Sequence, residues 1–336
     1  MKIVYALLSC LLLTIGLEAA PSKLNWMTSY EDALNQAKTE KKPVLLFFTG
    51  SDWCGWCHKL ENEVLDTLEF SDSASGKFIF VVVDFPMKKA LDAKLTAQNK
   101  ELQKKFDVKG FPTIILIDDQ QNQIGVTGYR PGGAKSYFDH LMNMVNDYKG
   151  YQKKLSALNQ NKELSDAELH SLYGKAKELC RTEDVCKIIT TGMKGNDKRF
   201  FLLERFRFLA DEGQIHDKEA QKIRQELLAL DPNNKEKTQY EVAIIEFEAY
   251  TEEMEKEKYS PELAIAPLTA YIERFGEDDH ENLWRMNMII SQVYLGKNKY
   301  QEALKHAQAA HAQAPGDVQR DIQSYIQNIQ AQILKL

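Results

Sequence analysis

This chain of 336 residues is short of several things. It has only five cysteines and nine prolines, and its 43 Lys and Arg are outnumbered by 49 Asp and Glu. Five cysteines are too few for a disulfide-stapled scaffold, and the odd count leaves one without a mate. A net charge of −6 gives no reason to expect nucleic acid as a partner. No apolar run reaches the roughly 20 residues that a membrane-spanning helix needs. Core-forming residues are not scarce, at 43% of the chain, so a mostly disordered polymer is excluded. The length suits two domains, each burying its own core.

The N-terminus accounts for the odd cysteine. Lys2 is a minimal positive region, Val4 to Leu17 is apolar apart from Ser9 and Thr14, and Glu18-Ala19-Ala20 offers small residues for cleavage before Pro21. Residues 1–20 therefore read as a secretory signal peptide, cut after Ala19, too short for a membrane anchor. Cys10 leaves with it, and four cysteines remain in an exported, most simply periplasmic, chain where disulfides persist.

The mature chain changes character near Gly150. Before it, Thr28-Ser29-Tyr30-Glu31 resembles a capping box opening a helix to Glu40. Residues 44–48 and 78–83 are continuous apolar runs of strand length, as strands buried on both faces require. A helix is expected from Cys54 to about Leu68, with Leu60, Val64 and Leu68 on one stripe, and a charged helix over 88–105. Residues 114–117 and 123–127 form a hairpin about the polar turn 118–122, and a helix over 134–148 closes the unit. This order predicts an α/β domain with a central mixed sheet over 21–150, followed by an all-α domain over 151–336.

The chemistry is concentrated in Trp53-Cys54-Gly55-Trp56-Cys57-His58, at a strand-to-helix junction. A thiol at a helix N-terminus meets unpaired N–H groups and the positive end of the helix dipole, which stabilise a thiolate. Such sites lower a thiol pKa from about 8.5 into the range of roughly 3.5–7.5. Cys57 lies nearly one turn on and faces the same side. Cys54 is thus the expected nucleophile, Cys57 the resolving thiol, and Cys54–Cys57 a redox-active disulfide. Trp53 and Trp56 are candidate substrate platforms, whereas Trp26 reads as core. The same residues spell C-x-x-C-H, the c-type haem attachment motif. That motif asks for a small helical domain rather than a buried strand before it, so no haem is expected. No second Cys or His pair at ligand spacing lies near Cys54 and Cys57, so no zinc site is expected there, and no cofactor is expected.

At these residues the sequence resembles the thioredoxin family, and more narrowly exported bacterial thioredoxin-like proteins of the disulfide-bond (Dsb) type. Phe106-Asp107-Val108-Lys109-Gly110-Phe111-Pro112-Thr113 resembles the family's second hallmark. The resemblance, over about residues 24–148, implies a cis Pro112 beside the cysteines and a Phe111 backbone that binds an extended substrate peptide. Two family features are missing: Phe48 stands where a buried aspartate usually helps move the resolving cysteine's proton, and Phe80 where a lysine often accompanies it. Glu61 or a water is the available substitute. The uncharged Gly55-Trp56 dipeptide points to a moderately reducing pair, nearer about −270 mV than the −120 mV of a strong oxidant. Its expected partners are protein disulfides or thiols and a redox protein that recharges it.

Cys180 and Cys186 lie six residues apart. On one continuous helix they would be about 9 Å apart along the axis, so a structural disulfide between them needs a break at Arg181–Asp184. Free thiols and a redox partner for the first pair are the other readings. Further on, Ser291, Tyr294, Tyr300, Ala303, Ala310 and Pro315 resemble the tetratricopeptide pattern, with Asn298 where glycine is usual. Residues 228–234 resemble the end of an earlier repeat. Residues 237–257 and 261–275 form a helix pair, and Ile322, Tyr325, Ile326, Ile329 and Ile333 give the last helix one apolar face. Stacked hairpins of this kind usually bind protein. The competing reading of the whole chain is a non-catalytic envelope scaffold that uses this half as an adaptor.

Overall fold

The computed structural model describes residues 24–335, so the signal-peptide segment and Cys10 lie outside the described residues. The chain divides into two compact units. The first ends at Lys162 and also takes in Glu178–Cys180; the second comprises Glu163–Lys177 and Arg181 onwards.

The first unit runs β1 (Trp26–Met27), α1 (Tyr30–Glu40), β2 (Val44–Thr49), α2 (Gly55–Leu60), a π-helical turn (Glu61–Leu65), α3 (Leu68–Ala74), β3 (Ile79–Asp84), α4 (Ala93–Lys105), β4 (Thr113–Ile117), β5 (Gln123–Thr127) and α5 (Gly133–Asn159). Its five-stranded sheet has the order β1-β3-β2-β4-β5. β2 is parallel to β3 and antiparallel to β4, so the sheet is mixed, as expected. Every residue of β2 is buried, and the side chains alternate between two cores. Val44, Leu46 and Phe48 pack with Ala33, Leu34, Ala37 and Leu102 from α1 and α4. On the other face Trp26 meets Phe47 and Phe80 at ring separations of 5.8 and 5.2 Å, which makes Trp26 a half-buried packing residue.

Three boundaries differ from the sequence expectation. The first cap is Ser29, whose Oγ accepts from Asp32 N–H, so α1 starts one residue later than a Thr28 cap would place it. The helix expected through Leu68 stops early. Its last turn is π-helical, with Asp66 N–H reaching the Glu61 carbonyl at 2.9 Å. Thr67 then caps a new helix through its Oγ1 and Phe70 N–H. Leu60 and Val64 stay buried, but Leu68 falls on the far side of this break and is 60% exposed. Finally, α5 runs unbroken through Gly150 to Asn159, past the expected end at 148.

The second unit contains only helices among its described residues: α6 (Asp166–Glu178), α7 (Thr182–Gly192), α8 (Lys198–Asp211), α9 (Lys218–Leu230), α10 (Thr238–Glu255), α11 (Pro261–Phe275), α12 (His280–Gly296), α13 (Tyr300–Gln313) and α14 (Gly316–Ile333). The α12–α13 hairpin has the close packing its small residues suggest. Ser291 is fully buried and its Oγ donates to the Ala303 carbonyl at 2.6 Å, while Ala303, Ala307 and Ala310 are fully buried. Asn298 adopts φ 59° in the intervening turn, a left-handed conformation that asparagine tolerates better than most residues. Ile322, Ile326 and Ile329 of α14 close this core, with Tyr325 and Ile333 packed against it.

Candidate active site

The chain leaves β2 at Thr49 and turns at Gly50, whose carbonyl accepts from Trp53 N–H and Cys54 N–H at 3.1 and 2.9 Å. A Cβ on Gly50 would lie 2.4 Å from Trp53 Cε2, so only glycine lets the indole lie across this turn. Cys54 is then the N-cap of α2, with φ −85° and ψ 97°, and its Sγ accepts from Cys57 N–H at 3.2 Å. The two cysteines are joined in a disulfide with Cα atoms 5.2 Å apart. They are not equally accessible: Cys54 is 5% exposed and Cys57 0%.

Three consecutive residues before Cys54 tie this turn to the end of β3 and the chain just after it. Ser51 donates from N–H and Oγ to the Asp84 carboxylate at 2.9 and 2.6 Å. Asp52 accepts from Met87 N–H and Lys88 N–H, and these backbone bonds, Met87's foremost, hold its carboxyl below the usual range. Trp53 Nε1–H donates to the Phe85 carbonyl at 2.8 Å. Buried Asn99 of α4 donates to the Asp84 carbonyl at 2.8 Å. The Phe111–Pro112 bond is cis, and the Phe111 ring lies 5.9 Å from Trp53 and 5.1 Å, stacked, from Phe85.

On the other side, Trp56 is 59% exposed and its ring is 5.4 Å from that of Tyr129. Lys59 Nζ sits over both rings, at 5.1 and 5.0 Å from their centroids. Tyr129 OH donates to Glu63 at 2.6 Å.

Phe48 and Phe80 are buried in the two sheet faces, 0% and 4% exposed, so neither position leaves room for a charged pair behind the disulfide. A half-buried acid, Glu61, does follow just after α2, at the start of the π-helical turn. Burial raises the Glu61 carboxyl above its ordinary range, partly offset by a His58 Nδ1 contact at 3.1 Å. Asp66 and then Asp84 add smaller raising influences. Among the described residues no cluster of three or more His, Cys, Asp or Glu is arranged to hold a metal ion.

Residues 30–142 match the family model described as a thioredoxin-like domain. Over 97% of this chain and 95% of its relative, the sequence is 33% identical to the thioredoxin-related protein DsbJ of Chlamydia pneumoniae. The chain belongs to the thioredoxin-like Dsb family of thiol–disulfide oxidoreductases. It is also 40% identical over 118 residues to the disulfide bond reductase DsbH of the same organism, covering 35% of this chain and 70% of that one. A solved DsbH oxidoreductase aligns with 37% of this chain and 86% of its own at 37% identity, with a TM-score of 0.36.

Within this Dsb-family chain the second cysteine pair behaves differently from the structural disulfide expected. The helix does break between the two residues, since α6 ends at Glu178 and α7 starts at Thr182. Cys180 and Cys186 are nevertheless free thiols. Cys180 is exposed in a left-handed turn at φ 53°, whereas Cys186 lies on α7 within electrostatic reach of Arg205 on α8. Sequence reading also missed Asp52, Ser51, Lys59, Glu63 and Tyr129. The run Gly128-Tyr129-Arg130-Pro131-Gly132-Gly133 after β5 marks a loop, but nothing in it points to Trp56.

Proposed function

We propose that the chain is an exported reductase of protein disulfides in which Cys54 attacks and Cys57 resolves. The observation that carries the reading is the asymmetry of the pair. The Cys54 sulfur caps α2 and accepts an N–H bond in a residue that keeps 5% of its surface exposed, while Cys57 keeps none. The more accessible of the two cysteines is the one whose thiolate the helix N-terminus favours.

In the reduced enzyme, the Cys54 thiolate attacks one sulfur of a client disulfide, and the other sulfur leaves as a thiolate that takes up a proton. Cys57, deprotonated with Glu61 or a water as the acceptor, then attacks Cys54 Sγ. The second client thiolate leaves, the client has gained two electrons, and the enzyme holds the Cys54–Cys57 disulfide. A thiol-bearing redox partner returns the two electrons. The cis Phe111–Pro112 segment and the indoles of Trp53 and Trp56 are the substrate contacts in this scheme.

The reducing direction rests on the uncharged Gly55-Trp56 dipeptide and on the likeness to a protein named as a disulfide bond reductase. Residues 1–20 direct export to the periplasm. The catalytic domain continues through α5 rather than stopping at 150, and the helical remainder, whose α12–α13 hairpin resembles a tetratricopeptide repeat, binds a client or partner protein. Reduction of insulin disulfides tests the reading. The wild-type chain accelerates it and Cys54→Ser abolishes the effect; a wild type no faster than Cys54→Ser favours the scaffold.

A further inference from the structure

Tyr129 has no part in the electron transfer above, yet its surroundings fix it with unusual completeness for a loop side chain. The residue before it, Gly128, is held from two directions. Its carbonyl accepts from the buried Tyr137 hydroxyl at 2.9 Å, and a Cβ there would lie 3.1 Å from the Pro112 carbonyl oxygen. The loop is therefore seated directly on the cis-proline segment. From that seat Tyr129 reaches back to α2, where its ring meets Trp56, its hydroxyl binds Glu63, and Lys59 lies over both rings while 3.9 Å from Glu63.

An exposed tryptophan ordinarily samples several rotamers, and a client must bear the entropy of ordering it. Here the aromatic contact and the shared cation hold the Trp56 indole before any client arrives. Its partner across the disulfide, Trp53, is likewise held by Phe85 and Phe111. The result is a chain of contacts around Cys54: Trp53, Phe111, Pro112, Gly128, Tyr129, Trp56.

We propose that Tyr129 is a positioning residue that fixes Trp56 as one wall of a peptide cleft, so that the enzyme prefers clients with an aromatic residue beside the reacting cysteine. The inference rests on the catalytic reading above but has a readout independent of it. Two flat apolar walls standing partly in water gain most from an aromatic ring placed against them, and little from a residue without a side chain.

The test uses the full chain in its disulfide form and two peptides carrying serine in place of the reacting cysteine, flanked by Phe or by Gly. Wild type binds the Phe peptide more tightly. Tyr129→Ala and Trp56→Ala each weaken that binding about five-fold, with less than about two-fold change for the Gly peptide. The double variant is no worse than Trp56→Ala alone, because Tyr129 acts through Trp56. Tyr129→Phe keeps the ring and retains most of the preference. An unchanged Phe-to-Gly ratio in Tyr129→Ala, or additive losses in the double variant, overturns the proposal. Cysteine-bearing peptides run in parallel separate the two claims: a wild type that prefers Phe yet exchanges no disulfide supports the wall and defeats the catalytic reading.

Discussion

The backbone N–H of Cys57 donates to Cys54 Sγ at 3.2 Å. In the disulfide this bond has only a weak acceptor, but on reduction the same N–H points at a sulfur able to carry a full charge. Hydrogen bonding to the charged form lowers a pKa, and the helix N-terminus acts in the same direction. Cys54 in the reduced chain therefore titrates below the free-thiol value of about 8.5. The pH dependence of its alkylation by iodoacetamide, with Cys57→Ser as background, checks this; an inflection at or above the free-thiol value contradicts it.

Glu61 gives a prediction of opposite kind. Burial first, with Asp66 and Asp84 adding to it, holds its carboxyl above the ordinary range. Between the ordinary and the raised pKa, the folded chain keeps a proton that the unfolded chain has lost, so stability falls as pH rises through that window. Glu61→Gln has no proton to lose and removes this part of the decline. Denaturant midpoints for the two proteins, measured from acid to neutral pH, should diverge in favour of the variant as pH rises. If Glu61 is also the acceptor for Cys57, the variant releases its mixed disulfide more slowly.

Gly50→Ala forces a Cβ to within 2.4 Å of Trp53 Cε2. The indole has little freedom to yield, because Nε1 is bound to the Phe85 carbonyl and the ring lies against Phe111. Overpacking of this kind costs about 1–3 kcal/mol. Chemical denaturation should register that loss, with altered tryptophan emission from the displaced ring; a variant as stable as wild type contradicts the packing argument.

In the helical unit, buried Asp279 accepts from Tyr271 OH at 2.5 Å, Lys237 Nζ at 2.8 Å and Asn282 Nδ2 at 2.9 Å. Burial alone would push its carboxyl up, but these partners outweigh it and hold the pKa below the usual value. For a depressed acid, the stabilisation is present above the unfolded pKa and is lost as pH falls through the folded one. Asp279→Ala leaves Tyr271 and Asn282 short of an acceptor, while half-exposed Lys237 can turn to water. We expect a loss of about 2 kcal/mol at neutral pH that shrinks in acid, read by helical circular dichroism against denaturant.

The parts of this protein that were legible in the sequence are those written in adjacent residues. Val44–Thr49 followed by Cys54-Gly55-Trp56-Cys57 carries its strand, turn and helix start in one stretch, and Phe111-Pro112 carries its own peptide bond. The helix expected over 261–275 is α11, where Ser260 Oγ accepts from Leu263 N–H. The π-turn at Glu61–Leu65 was not legible, because Leu60 and Val64 keep helical spacing until Thr67 restarts the chain. Nor was Tyr129, whose bond to Glu63 spans 66 residues and depends on how β5 returns to the cis-proline. Cys180 and Cys186 had a spacing compatible with pairing, but what each faces is set by α7 and α8 packing.

The central claim, that Cys54 attacks clients and Cys57 releases them, is tested most directly by mass spectrometry of Cys57→Ser after incubation, in its reduced form, with insulin. The account predicts a covalent adduct with insulin through Cys54, stable until a small thiol is added, and none with Cys54→Ser. An adduct on Cys180 or Cys186 instead, or no adduct from a Cys57→Ser protein shown to carry a free Cys54 thiol, would contradict it.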